Sequence, residues 1–206
     1  MSRQIFNIKT IKAKRFDTLD LGSFYNSLFG EPESKFTIMF YGAPGCGKSV
    51  TALQLADYIA DNIGKVLYNS HEERINQTIR DRIINYSIQS PRLYFGNALT
   101  YEEMVHKIEK NYYRAVFIDS VQYMSFTYEQ LKDLRKSFAK RKLIVGMVSF
   151  GKAKWAPKCQ DDMLHAADVK CFLKNGNINI ESRYLKKPID YRLFTPGSAT
   201  NQQTLF

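Results

Sequence analysis

Gly42-Ala43-Pro44-Gly45-Cys46-Gly47-Lys48-Ser49 stands directly after the apolar run Phe36-Thr37-Ile38-Met39-Phe40-Tyr41 and directly before a helix-like stretch from Val50 to Asn62. Glycines at that spacing let the backbone curl until several N–H groups point inward, and the following helix aims its positive end at the same place. The segment reads as a phosphate-binding loop. In that geometry Lys48 reaches the β- and γ-phosphates and Ser49 ligates magnesium, while Gly42, Ala43, Pro44, Gly45, Cys46, Gly47 and Val50 complete the cradle of a nucleoside triphosphate. The strand–loop–helix context is what separates such a segment from an accidental glycine-rich turn.

Around this loop, 206 residues with 44% hydrophobic content suffice for one well-filled α/β core and not for two large ones. The N-terminus is polar and basic, and no apolar stretch approaches the length that spans a bilayer, so a soluble, cytoplasmic protein is expected. Cys46, Cys159 and Cys171 include no C-x-x-C pair and point to neither a zinc site nor a disulfide framework. The formal net charge of +10 is uneven. Between Lys132 and Lys158 there are nine Lys or Arg residues against the single acid Asp133, which predicts a polyanionic partner beyond the nucleotide, most economically nucleic acid.

Hydrophobic periodicity supplies the rest of the architecture. Val50, Leu53, Leu55, Ala56 and Ile59 stripe the helix after the loop, and Gly64 marks its stop. Lys65 to Ser70 reads as a strand, and Ile75, Ile79 and Ile83 recur as on a helix. Thr100 with Glu103, and Thr127 with Gln130, are capping-box starts of two further helices. Between and after them lie the apolar strands Ala115-Val116-Phe117-Ile118 and Leu143 to Val148. Strands that alternate with helices imply a parallel sheet. Asp168 to Leu173 and Asn177 to Leu185 flank Asn175-Gly176, a hairpin signal, so an antiparallel pair finishes the sheet and the pattern fades from Pro188 onward. The first 35 residues show no clear periodicity and read as a lead-in that packs on the core.

Two acidic sites are placed to serve a bound triphosphate. The strand ending Phe117-Ile118-Asp119 puts an acid where a magnesium-associated carboxylate belongs. Its neighbour is Ser120 rather than a glutamate, so the group that orients the attacking water comes from elsewhere. The preceding strand ends in Tyr68-Asn69-Ser70-His71-Glu72-Glu73 and brings two carboxylates to the carboxyl edge of the same sheet, where ligands of open α/β sheets bind. Glu72 is the first candidate and Glu73 the second.

At these residues the chain resembles the RecA superfamily, and within it the RadA/Sms, DnaB and KaiC-like group. Ser70-His71-Glu72-Glu73 is similar to that group's Ser-Gly-Glu-Glu, Asp119-Ser120-Val121-Gln122 to its Asp-Ser-Ile-Gln, and Met163-Leu164-His165-Ala166-Ala167-Asp168 to its Leu-Glu-His-x-x-Asp. The resemblance runs from about Phe36 to Arg192 and implies a RecA-like ATPase core: an α/β fold with a mostly parallel sheet flanked by helices and a C-terminal antiparallel hairpin. It implies ATP and Mg2+ as cofactors, a homo-oligomeric ring or filament, and Lys186 or Lys187 reaching the γ-phosphate of a neighbouring subunit. Two departures stand out: Ser149-Phe150 replaces the group's polar sensor, and Arg183 to Pro188 matches its Lys-Asn-Arg-Phe-Gly element loosely.

The resemblance also implies DNA-binding loops at Val121 to Phe126 and Gly151 to Asp162. In the second, Trp155 stands among Lys152, Lys154 and Lys158, and lysines on phosphates with an aromatic on a base are the chemistry of single-strand binding. Gln202-Gln203-Thr204-Leu205-Phe206 resembles the Gln-x-x-Leu-Phe peptide by which bacterial replication and repair proteins dock on the sliding clamp, with Gln202 at the pocket edge and Leu205 and Phe206 within it. The expected organisation is a lead-in over 1–35, the core over 36–192 and a tail over 193–206. The expected function is an ATPase acting on single-stranded DNA in replication or recombinational repair. A nucleotide or small-molecule kinase, and an ATP-switch adaptor that does not turn over, are the rival classes.

Overall fold

Four apolar runs become the centre of one sheet because each is buried along nearly its whole length. They are β1 (Thr37–Gly42), β2 (Val66–Ser70), β4 (Ala115–Asp119) and β5 (Ile144–Phe150), and they pair parallel, as strands covered on both faces do. The computed structural model describes residues 5–150 and 159–193. In full, the sheet has eight strands in the order β3-β2-β4-β5-β1-β6-β7-β8, with β3 (Leu93–Asn97) parallel to β2 and β6 (Val169–Lys174) parallel to β1. Then β7 (Asn177–Ser182) and β8 (Ile189–Arg192) run antiparallel. Asn175 and Gly176 both sit at positive φ, 50° and 75°, which is the hairpin turn read from this dipeptide.

Alternation along the strands divides the core into two layers. Ile38, Phe40, Tyr68 and Phe117 face α3 (Lys48–Asn62) and α2 (Gly22–Phe29). Met39, Leu67, Val116 and Ile118 face Met104 and Ile108 of α5 (Tyr101–Asn111), Leu131 and Leu134 of α6 (Tyr128–Ser137), and Met163 of α7 (Cys159–Ala166). Both capping boxes form: Thr100 accepts from the Glu103 N–H and Thr127 from the Gln130 N–H, with each partner side chain reaching back.

Several elements depart from the pattern-based reading. The lead-in contains α1 (Ile8–Ala13), which buries nothing, and α2, whose Tyr25, Leu28 and Phe29 are core residues. Strand β3 carries no readable alternation because it is an edge strand, half open to solvent. The chain does not fade after Pro188, since β8 adds another edge strand with Ile189 and Tyr191 turned toward the core cluster. Helix α4 (Gln77–Asn85) begins after Ile75, capped by Asn76 accepting from the Ile79 N–H, which leaves Ile75 exposed.

The amino edge of the sheet is locked by Asp168. Its Oδ2 accepts from the Thr37 N–H and the Thr37 hydroxyl, both at 2.8 Å, and its Oδ1 accepts from Arg183 Nη1 at 2.9 Å, while Arg135 Nη2 lies 3.7 Å away. One buried carboxylate thereby joins β1, β6, the turn after β7, and α6. Asp168→Ala leaves the buried Thr37 N–H and hydroxyl without their acceptor, while Arg135 and Arg183 are open enough to turn to water, so unfolding in urea should show a loss of about 1–3 kcal/mol with nucleotide affinity of the folded protein retained. A loss below about 1 kcal/mol would show that the edge is held by the strand ladder alone.

Candidate nucleotide-binding site

The loop leaves β1 at Gly42, which must be glycine: a Cβ there would lie 2.2 Å from the Leu173 carbonyl oxygen and 2.9 Å from Cys46 Sγ. Gly47, at φ 96°, caps α3 in the left-handed region and turns the chain into the helix. Lys48 is buried, and its Nζ donates to the carbonyls of Gly42 at 3.1 Å and Ala43 at 2.7 Å, below the loop and 5.8 Å from the Phe150 ring.

Asp119 ends β4 beside the start of α3. Ser49 Oγ donates to Asp119 Oδ1 at 3.2 Å, and the Tyr68 hydroxyl donates to Asp119 Oδ2 at 2.7 Å while lying 3.3 Å from the Ser49 carbonyl oxygen. Burial pushes the Asp119 carboxyl above its ordinary range, and the bonds from Tyr68 and Ser49 oppose that rise. Burial, and then the Asp119 charge, push the Tyr68 phenol well above its ordinary value, so Tyr68 stays the donor. Tyr68 is a site residue that no motif marks in the sequence. Its signal is of another kind: a tyrosine inside a strand buried throughout needs a partner for its hydroxyl, and its register partner Phe117 lies two residues before Asp119.

The segment after β2 is pinned to the end of β4, with the His71 and Glu72 N–H groups donating to the Asp119 carbonyl at 2.6 and 3.2 Å. The two glutamates then diverge. Glu73 is held bidentately by Arg82, at 2.6 and 2.7 Å, whereas Glu72 meets no cation within ion-pair distance among the described residues. Although Glu72 is exposed overall, partial burial of its carboxyl, followed by the charges of Asp119 and Glu73, raises it above the ordinary carboxylate range against the opposing pull of Lys48 and Arg82. At the end of β5, Ser149 is buried and accepts from Gln122 Nε2 at 2.8 Å, so a polar link does stand at that strand end.

No group of three or more His, Cys, Asp or Glu side chains among the described residues forms a metal site by itself. The hydroxyl of Ser49 beside the carboxylate of Asp119 is a hard oxygen pair, a donor set that fits Mg2+ sharing its remaining coordination with phosphates and water.

No protein-family model matches the chain. Over 87% of its length it superposes on 96% of the flagellar accessory protein FlaH from Methanocaldococcus jannaschii, with a TM-score of 0.61 at 17% identity. A KaiC-like protein from Pyrococcus horikoshii OT3 gives the same TM-score over 82% of this chain and 91% of that one, at 15% identity. In sequence, 81 residues are 40% identical to the DNA repair protein RadA of Helicobacter pylori, and 118 residues are 30% identical to that of Bacillus subtilis. The chain has a RecA-like fold and shares sequence with RadA over part of its length. The matched segments span 39% and 57% of this chain but only 18% and 25% of those relatives' lengths.

Within this RecA-like fold the remaining candidates fall in different places. Lys186 and Lys187 are exposed in the turn between β7 and β8. Because Ser182 pairs with Val169 at the start of β6, that turn lies at the amino edge of the sheet, opposite the phosphate loop. In the loop after β4, Val121 and Phe126 are buried, and Tyr123 is exposed with its ring edge-on to Phe150 at 5.9 Å. Lys152, Lys154, Trp155 and Lys158, and Gln202, Leu205 and Phe206, lie outside the described residues. Among the described residues no helix is long and apolar enough to cross a membrane.

Proposed function

We propose that the chain is a Mg2+-dependent ATPase that acts on single-stranded DNA in replication or recombinational repair. The observation that carries the reading is the convergence of Lys48, Ser49, Asp119 and Glu72 on one sheet edge, with Tyr68 bracing the carboxylate. Lys48 would exchange its bonds to the loop carbonyls for bonds to the β- and γ-phosphates. Ser49 and Asp119 would hold Mg2+, which when bound neutralises charge on those phosphates. Glu72, uncommitted and next to Asp119, would orient the attacking water, while Glu73 is occupied with Arg82.

Action on DNA is supported by the similarity to relatives named as DNA repair proteins and by the basic, Trp155-bearing loop. Lys186 and Lys187 lie at the far edge from their own loop, so their role at a γ-phosphate requires a second subunit in a ring or filament. Docking of Gln202, Leu205 and Phe206 on a sliding clamp and a cytoplasmic location rest on the sequence. The direct experiment is ATP turnover and molar mass measured with and without Mg2+ and single-stranded DNA. Turnover that needs Mg2+ and rises with DNA supports the reading, and phosphate transfer to a nucleoside monophosphate in place of hydrolysis would replace it with a kinase.

If the loops after β4 and β5 hold bases by stacking, Trp155→Ala and Tyr123→Ala should each weaken binding of a labelled oligothymidine by about 1–3 kcal/mol and leave ATP affinity unchanged. Fluorescence anisotropy reads this directly. Unaltered affinity in both variants would move the DNA surface away from these loops.

A further inference from the structure

At the amino edge of the sheet, away from the phosphate loop, a groove of about 370 Å3 opens between the start of β1 and the C-terminal half of α6. Lys35, Lys132, Arg135 and Lys136 ring it, Phe36 and Phe138 form part of its floor, and no acidic side chain among the described residues lines it. The surrounding basic residues are mostly committed elsewhere. Arg141 donates to the carbonyls of Ile108 and Glu109 at 2.9 and 3.0 Å, and Lys142 pairs with Asp17 at 2.5 Å. On the rim itself Lys132 lies 3.3 Å from Glu129 and Arg135 3.7 Å from Asp168, whereas Lys35 and Lys136 pair with no carboxylate among the described residues.

The uncommitted charge is therefore compact and sits over an apolar pit. A nucleic-acid backbone asks for the opposite, a run of cations spaced along successive phosphates. We infer that this groove docks a short acidic peptide segment of another protein, with its carboxylates on Lys35 and Lys136 and one large apolar side chain in the pit. The chain has nothing of its own to complement the site from the residues outside those described: 1–4, 151–158 and 194–206 include no Asp or Glu. Rim charges of this kind set orientation and association rate, and the buried anchor carries most of the affinity. The inference is independent of ATP hydrolysis, since the groove and the phosphate loop lie at opposite edges.

The test uses the full chain and a fluorescein-labelled peptide, Asp-Asp-Glu-Asp-Leu-Phe, followed by anisotropy. Saturable binding is expected, weakened about tenfold as KCl rises from about 50 to about 300 mM. Replacing the peptide's leucine and phenylalanine with alanine should cost about tenfold, and the charge reversal Lys35→Glu with Lys136→Glu at least about tenfold. Binding of a fluorescent ADP by the same double variant reports that it is folded, and the neutral pair Lys35→Ser with Lys136→Ser should give an intermediate loss. Absence of saturation at about 1 mM peptide, or equal affinity in the double variant, overturns the inference. So does a result in which the charge reversal abolishes binding of an oligothymidine that the peptide fails to displace, because the groove then belongs to nucleic acid.

Discussion

Lys48→Ala should lower ATP turnover by at least about a thousandfold, the largest effect expected of any single substitution at the site. The magnitude follows from the kind of catalysis involved. Phosphoryl transfer depends on positioning and on charge stabilisation, and a buried ammonium, unlike one in water, acts with little screening. Lys48 is 7% exposed and is held beside the loop by backbone acceptors at 2.7–3.1 Å, so its charge is already at the loop before any ligand arrives and has only to exchange partners. Of those acceptors the Ala43 carbonyl, with the shorter bond, belongs to the exposed part of the loop, where water can take over, and only Gly42 is buried. The thermal midpoint of the nucleotide-free variant should therefore stay within a few degrees of the parent, about what a loss below 1 kcal/mol produces. Steady-state phosphate release, with a fluorescent ATP analogue for affinity, checks the result. Undiminished turnover would sink the assignment of the loop as the active centre.

What could be read from the residues divides along a physical line. The glycine-rich turn between β1 and α3, Asp119 at the end of β4, both capping boxes and the Asn175-Gly176 turn are local: each depends on a few neighbouring residues, and the structure has each at the element boundary its pattern marks. Tyr68, β3, β8 and the packing role of α2 are non-local. Strand β3 looks like loop because only one of its sides is paired, and α2 buries Tyr25, Leu28 and Phe29 on a face too short for a clear period. Asp168 shows the distinction best. Its place in a His-x-x-Asp segment was visible, but its work as a lock depends on Thr37, 131 residues away, and on Arg135 and Arg183 arriving from two other elements. The same holds for Glu72 and Glu73: the sequence ranks one before the other, and the physical distinction comes from Arg82 of α4, which engages Glu73.

That asymmetry makes the second large prediction specific. Glu72→Gln should retain ATP affinity and lose about a hundredfold or more in turnover, because an amide keeps the shape but no longer attracts the proton of an attacking water. Glu73→Gln should instead cost about 1–2 kcal/mol of stability through the lost bidentate pair with Arg82, and leave turnover within a few-fold. If Glu73→Gln is the variant that stalls, the water-orienting residue is one position further along. The pH dependence carries an independent signature. Burial and the neighbouring Asp119 and Glu73 charges hold the Glu72 carboxyl above the ordinary range, so in the parent turnover should rise as Glu72 ionises and fall off on acidification earlier than an ordinary glutamate would allow. Glu72→Gln should flatten that acidic limb. Stability moves the other way. For Glu72 and Asp119, both raised by burial in the folded chain, the folded state holds protons that the unfolded chain has released. Their contribution is full below the ordinary carboxylate range and is lost as pH rises through the elevated folded values. The nucleotide-free protein should thus be less well supported by these two groups at the pH where they are ionised for catalysis, and Mg2+ with ADP should restore more stability there than at acid pH, a difference that denaturation curves at the two pH values with and without ligand would resolve.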